Sequence, residues 1–122
     1  CYMLLLMVRV RNQTRVCVLA ETVTVAETSR TRRTGLLKHK SLPPSEGMLI
    51  APSQAVHTIG MKFPIDVLFL DRSRRVVKIR HQVPPGRLAL CLVAHSVLEL
   101  PAGTAAATRT VVGDQLQFEK VS

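Results

Sequence analysis

The sequence predicts a mainly β fold, a single compact jelly-roll-like sandwich or barrel with one or two short helices. Short runs rich in β-branched residues show the apolar and polar alternation of half-buried strands. Pro, Gly, Asn and Asp residues separate these runs at short intervals. The 122 residues are 47% hydrophobic, which suits one domain, residues 1–122, with one sizeable core.

The predicted strands follow one another along the chain. Alternation and turn residues predict strands over residues 4–11, 16–26, 48–51, 55–59, 65–70, 75–80, 88–93, 96–100 and 115–121. The first two strands are expected to pair as a hairpin. Residues 71–74 are expected to form the compact loop of a second hairpin.

Two short helices and two loops complete the predicted elements. Residues 27–38 predict a helix with a basic face in water, capped by Thr28 or Ser29. Thr104 is expected to cap an alanine turn over residues 105–107. Prolines predict loops at residues 41–47 and at residues 81–87, which read HQVPPGR.

The charge balance is strongly basic, with 17 Lys and Arg against 8 Asp and Glu and a net charge of +9. Six arginines form two clusters: Arg30, Arg32, Arg33, Arg72, Arg74 and Arg75. Such clusters attract phosphate backbones or anionic membrane surfaces, but no nucleic-acid motif accompanies them, and a solvated basic face is the favoured interpretation. The chain has no Trp and one Tyr, which argues against sugar-stacking and base-stacking sites.

Cysteine and histidine spacing predicts no metal site and no cofactor. Cys1, Cys17 and Cys91 lack metal-ligand spacing and are expected to be free thiols. His57 and His95 lack the paired spacing of a zinc site, and no glycine-rich phosphate cradle is present.

The opening CYMLLLMV lacks the basic region of a signal peptide, and no apolar run is long enough for a membrane span. A cytoplasmic location is therefore expected in preference to export. Cys1 in place of methionine suggests a processed start.

The most informative stretch is VHTIGMKFPIDVLFLD, residues 56–71. In a strand, Ile65 and Val67 share one side, while Asp66 and Leu68 share the other. Apolar residues on both sides predict a central strand that is covered on both faces. Asp66 is then a buried carboxylate that needs hydrogen-bond donors, which are expected from His57, Thr58 or the backbone of residues 60–63.

Two interpretations of these polar groups remain open. In the first, Asp66 holds the preceding loop and is purely structural, as most buried polar groups are. In the second, the groups line a pocket that binds a ligand or moves a proton.

The leading hypothesis is a non-catalytic accessory protein that binds a small ligand or an extended peptide. The predicted ligand-binding residues are Ser53, His57, Thr58, Met61, Lys62 and Asp66. The alternative is a hydrolase-type enzyme with His57 and Asp66 as its acid–base pair. A second alternative is a basic adaptor for nucleic acid or anionic membrane.

Four segments in order carry a resemblance to a known family: RTGLLKHKSLPPSEGMLI, VHTIGMKFPIDVLFLD with RVVKI, SVLELPAGTA, and VGDQL. Together they resemble the bacterial and archaeal family called domain of unknown function 192, over residues 16–120. The resemblance implies a compact β-rich, jelly-roll-like domain, no established activity, and a link to pilus assembly by family association alone. Relatives often carry cysteine where this chain has Ser53, so a thiol active site is not expected in that loop.

Overall fold

The computed structural model describes residues 7–26 and 42–121. They form nine strands: β1 (Met7–Asn12), β2 (Cys17–Ala26), β3 (Glu46–Ile50), β4 (Ala55–His57), β5 (Ile65–Leu70), β6 (Val76–Val83), β7 (Leu88–Leu90), β8 (Ser96–Pro101) and β9 (Leu116–Val121). A short helix, α1 (Thr104–Ala107), lies between β8 and β9. The predicted helix over residues 27–38 lies outside the described residues, as do Arg30, Arg32 and Arg33.

Seven of these strands form one sheet in the order β6-β5-β8-β3-β2-β1-β9. The pair β2–β3 is parallel and the other pairs are antiparallel. The predicted hairpins β1–β2 and β5–β6 are both present. The sheet curls until its edge strands meet at one isolated bridge, Arg75 with Gln115, but it does not close. The prediction of a mainly β fold is confirmed.

The remaining strands, β4 and β7, form a separate antiparallel ribbon. It covers part of the convex side of the sheet, because Val56 of β4 and Ala89 of β7 pack in the same hydrophobic cluster as Ile65, Val67 and Phe69. We call this cluster the outer core. The concave side holds a second cluster, the inner core, which includes Leu68 and Leu70.

The central position of β5 follows from these two cores. All six of its residues are buried, and its side chains alternate between the outer and the inner core. The prediction of a strand covered on both faces is confirmed.

Strand β6 is longer than the sequence predicts. It continues to Val83, which pairs with Ile65, so that His81–Val83 belong to the strand and not to a loop. A register shift lies between Ile65 and Val67 of β5, and Gln82 adopts a φ of 47°. The extra residue of this bulge bends β6 locally. The strand then ends at Val83, directly before Pro84.

One local prediction is wrong. Thr104 is the first residue of α1, and the N-cap is Gly103, whose left-handed φ of 93° starts the helix without a side-chain cap. Among the described residues, the Ala51–Pro52 peptide bond is cis.

Candidate functional site

Asp66 is fully buried, and the structure gives each of its carboxylate oxygens a backbone donor. The Gln82 N–H donates to Oδ1 and the Ala105 N–H donates to Oδ2, both at 2.8 Å. The first donor is the bulge of β6, and the second is in the first turn of α1. Asp66 therefore connects β5 to two elements that follow it in the chain, and not to the preceding bend.

His57 and Thr58 lie on the other side of the sheet from Asp66. Val56 points into the outer core, so the adjacent His57 side chain points away from the sheet. Asp66 shares the inner side of β5 with Leu68. The structure does not bring His57 and Asp66 together.

Thr58 organises the turn that leads into β7. Its hydroxyl donates to the Pro84 carbonyl at 2.7 Å and accepts from the Arg87 N–H at 2.8 Å. Its own backbone N–H donates to the Arg87 carbonyl at 2.8 Å, and its carbonyl accepts from the Gly86 N–H at 3.0 Å. These bonds fasten the end of β4 to the start of β7.

The other predicted ligand-binding residues are dispersed. Met61 is buried in the outer core, whereas Lys62 is exposed. Ser53 is half-buried, and its hydroxyl donates to the Ala55 carbonyl at 2.9 Å. The fold thus distributes the predicted set over the outer core, the inner side of the sheet and the surface.

Ser53 does line an open cleft of about 640 Å³. Three segments form its walls: residues 52–54, the hairpin loop 71–73 and the turn 92–95. The walls are joined by the bond from the Ser53 N–H to the His95 carbonyl at 2.9 Å and by the bond from Gln54 Nε2 to the Leu92 carbonyl at 2.6 Å. Because these segments are distant in sequence, the motifs placed Ser53 in a ligand-binding site and Arg72 in a basic cluster, and did not bring the two together in one cleft.

Five large apolar side chains form an exposed surface on the ribbon and its adjoining turns, which we call the ribbon face. Its members and their exposed fractions are Ile59 (63%), Leu88 (68%), Leu90 (46%), Leu92 (71%) and Val93 (75%). In β7 the small Ala89 points into the outer core, while the two large leucines beside it point to water. The sequence Leu-Ala-Leu shows this alternation, but it does not say which side is buried.

Cationic side chains border the ribbon face. Lys78 and Arg80 of β6 pair with Phe69 and Val67 and therefore project on the outer side of the sheet. Lys78 Nζ reaches the ribbon and donates to the Leu90 carbonyl at 2.8 Å. Arg87, directly before β7, is exposed.

The second arginine cluster is divided among different neighbours. Arg72 lines the cleft, and the Arg74 guanidinium lies 4.4 Å from the centre of the Phe118 ring. Arg75 Nη1 donates to the Gly113 carbonyl at 2.7 Å. The three arginines, although close in sequence, therefore lie in three different parts of the structure.

Two further buried carboxylates were not singled out by the sequence. Glu99 of β8 is fully buried and lies between Met48 of β3 and Val67 of β5 in the sheet register. Asp114 is 3% exposed.

Asp114 Oδ2 accepts hydrogen bonds from Asn12 Nδ2, Arg15 Nε and the Val111 N–H at 3.0, 3.2 and 3.1 Å. Burial by itself would raise the pKa of Asp114, but these donors and the Arg15 charge outweigh it and hold the pKa below its ordinary value of 3.8.

Within residues 7–26 and 42–121, no three His, Cys, Asp or Glu side chains lie close enough to hold a metal ion. In the same part of the chain, no helix has the length and apolar character needed to cross a membrane.

The described parts of the ordered motifs lie on β3, β4, β5, β6, β8, the start of α1 and the start of β9. One family model matches residues 8–118. The chain belongs to the DUF192 family. That family is described as "Uncharacterized ACR". No curated protein matches the chain.

Two solved structures are similar to this chain. A protein of unknown function from Novosphingobium aromaticivorans is 25% identical, with 93% of this chain and 84% of that chain covered and a TM-score of 0.77. A protein from Sinorhizobium meliloti, provisionally named as a transcription regulator, is 24% identical, with coverages of 97% and 96% and a TM-score of 0.79. Both structural similarities support the mainly β fold.

Proposed function

We propose that this DUF192 chain is a non-catalytic binding protein that takes an extended peptide segment on its ribbon face. The observation that carries the proposal is the concentration of exposed apolar side chains there. Of the ten large hydrophobic residues that the described part of the chain exposes, five are Ile59, Leu88, Leu90, Leu92 and Val93. Exposed apolar side chains concentrated in one part of a fold are characteristic of an interaction site.

The geometry of the ribbon favours an extended partner. Leu88 and Leu90 are two residues apart on one strand, so their side chains project side by side. An extended peptide added along the edge of β7 that does not pair with β4 presents apolar side chains at the same spacing, beside the leucines. Its alternate side chains then point to the other side of the ribbon, towards β6 with Lys78 and Arg80. Strand addition to a sheet edge is a common mode of peptide recognition.

The bordering charges define the partner further. Lys78 reaches the ribbon, Arg80 projects on the same side of the sheet, and Arg87 directly precedes Leu88. No acidic residue belongs to β6, β7 or the described residues between them. Carboxylates on the partner would complement these cations and accelerate association. The proposed ligand is therefore a peptide in which apolar and acidic residues alternate.

The experiment is an NMR titration with a designed peptide of alternating valine and glutamate. We expect saturable chemical-shift changes at Leu88, Leu90 and Val93. A peptide with lysine in place of glutamate should bind at least ten-fold more weakly, because it places like charges beside Lys78 and Arg80.

A pair of matched variants tests the location. The Leu88→Ser, Leu90→Ser double variant should lose about ten-fold or more in affinity, since apolar anchors at the centre of an interface dominate binding. The Val111→Ser, Val112→Ser double variant changes two exposed valines far along the chain and serves as the control. Equal affinity of both variants would refute binding at the ribbon face.

The other sequence-based hypotheses stay predictions. A small ligand would use the cleft at Ser53, where Arg72 and His95 supply polar groups. An acid–base mechanism of His57 and Asp66 has no support from their placement on opposite sides of the sheet. Binding of nucleic acid or anionic membrane by the arginine clusters predicts affinity that falls steeply as salt is added.

We also propose a cytoplasmic location. The two described cysteines, Cys17 and Cys91, are both free thiols, and free thiols are typical of reducing compartments. Cell fractionation tests this assignment.

A further inference from the structure

A second cavity, of about 460 Å³, lies at one end of the inner core. It is found where β1 begins and β2 ends, and Leu49 of β3 forms part of its wall. The apolar lining residues are Val8, Val25, Leu49, Ala51 and Phe118, and the polar ones are Arg74 and Lys120. Its volume falls in the range of about 300–1,000 Å³ that is usual for small-ligand sites.

The two cations face the cavity from the inner side of the sheet. Lys120 pairs with Val8, and Phe118 pairs with Val10. Val8 and Val10 both belong to the inner core, so Lys120 and Phe118 project on that same side. A lysine at the end of an inward-facing row places an ammonium group at the edge of an apolar space.

Arg74 supplies the second cation from the β5–β6 hairpin. Its guanidinium lies 4.4 Å from the centre of the Phe118 ring, which holds it over the apolar wall. Among the residues that the structure describes, no acidic one lines the cavity. The nearby Glu119 lies on the opposite side of β9, where it pairs with Arg11 at 3.6 Å.

We propose that this cavity binds a free medium-chain alkyl carboxylate. The alkyl chain would contact Val8, Val25 and Leu49, and the carboxylate would sit between Arg74 and Lys120. An apolar space with two cations at its border and no acid in its described lining complements an amphipathic anion in both shape and charge. The site is separate from the ribbon face and does not depend on the peptide proposal.

The first test is calorimetric titration with octanoate and decanoate below their self-association concentrations. We expect saturable one-to-one binding, with affinity rising about four-fold for each added methylene group. Decyltrimethylammonium carries the same chain with the opposite charge and should not bind. Equal binding of the anion and the cation, or binding that does not saturate, would overturn the proposal.

Variants locate the site. Lys120→Met and Arg74→Met each retain apolar contact and should weaken decanoate binding about ten-fold. Arg109→Met removes an exposed arginine that does not line the cavity and should leave the affinity unchanged. If the three variants bind decanoate equally, Lys120 and Arg74 only shield the open end of the inner core, and the proposal fails.

A cavity-filling substitution tests the cavity site independently. Val25→Phe should abolish decanoate binding while thermal unfolding shows that the protein remains folded. Methyl NMR of the wild type should show decanoate-dependent shifts at Val8, Val25 and Leu49. Shifts confined to Leu88 and Leu90 would assign the ligand to the ribbon face and refute the cavity site.

Discussion

On the inner side of β5 a carboxylate is buried and bonded to backbone, whereas on the outer side the ribbon turns leucines towards water. Asp66 is fully buried with donors from Gln82 and Ala105. Leu88 is 68% exposed although it adjoins the fully packed outer core. A charged group is buried at the first place and an apolar one is exposed at the second, which is the reverse of the usual distribution. Hydrogen bonds compensate for the buried carboxylate only.

This difference separates architecture from binding. A buried carboxylate with a backbone donor on each of its two oxygens has a hydrogen-bond partner for both of them. Within the part of the chain that the structure describes, nothing covers the exposed leucines, and their burial against a partner would be favourable. The polar residues of the core motif therefore explain stability, and the apolar residues beside the motif support the proposed function.

The largest expected effect is the loss of the Asp66 carboxylate. Asp66→Ala leaves the Gln82 and Ala105 N–H groups without their acceptor in a buried place, and each such group costs about 1–3 kcal/mol. We expect the free energy of unfolding to fall by about 4 kcal/mol in urea denaturation.

Asp71 provides the matched control for that measurement. Its Oδ1 accepts two backbone N–H groups, from Ser73 at 2.9 Å and Arg75 at 3.0 Å, but in an exposed hairpin. Water can replace these bonds, so Asp71→Ala should cost only about 1 kcal/mol. Equal losses for Asp66→Ala and Asp71→Ala would contradict the structural role of burial.

The next effect contrasts the two sides of β7. Ala89 is buried in the outer core, so Ala89→Leu overpacks it and should destabilise the protein by about 2 kcal/mol. Leu88→Ser alters only an exposed position and should change the stability by less than about 0.5 kcal/mol. Thermal unfolding of both variants checks the orientation of the ribbon, and a larger loss for Leu88→Ser would show that it is reversed.

The smallest expected effect concerns Asp114 and the pH. Its pKa is lower in the folded protein than its ordinary value of 3.8, so its contribution to stability is present above that value and is lost as the pH falls through the folded pKa. Asp114→Asn should cost about 1 kcal/mol at neutral pH and reduce the acid dependence of unfolding. An unchanged pH profile in the variant would show that other carboxylates carry this dependence.

Much of the fold could be predicted because strand alternation is a local property. Residues 65–70 were predicted with the observed bounds, and the burial of Asp66 followed from apolar neighbours on both sides. The extension of β6 was missed because prolines at positions 84 and 85 indicated a loop, whereas the bulge at Gln82 depends on pairing with β5. The N-cap at Gly103 was missed because Thr104 has a side chain that is typical of caps, whereas Gly103 adopts the left-handed conformation that starts α1.

The candidate site was less predictable, because its parts are joined across the sheet. Ser53 lies in the cleft, but the cleft also needs residues 71–73 and 92–95. Sequence proximity suggested that His57 and Thr58 meet Asp66, whereas the ribbon carries them to the outer side. Which side of a strand is covered depends on the elements that pack against it.

The amino-acid sequence by itself determined the family, the mainly β architecture and the need of Asp66 for donors, since these follow from alternation, turn residues and the cost of burying a charge. The tertiary structure decided that the donors are the Gln82 and Ala105 N–H groups, that Leu88 and Leu90 face water, and that Lys120 borders an apolar cavity. Register, bulges and the curl of the sheet bring distant residues together, and neighbouring residues alone do not specify those contacts.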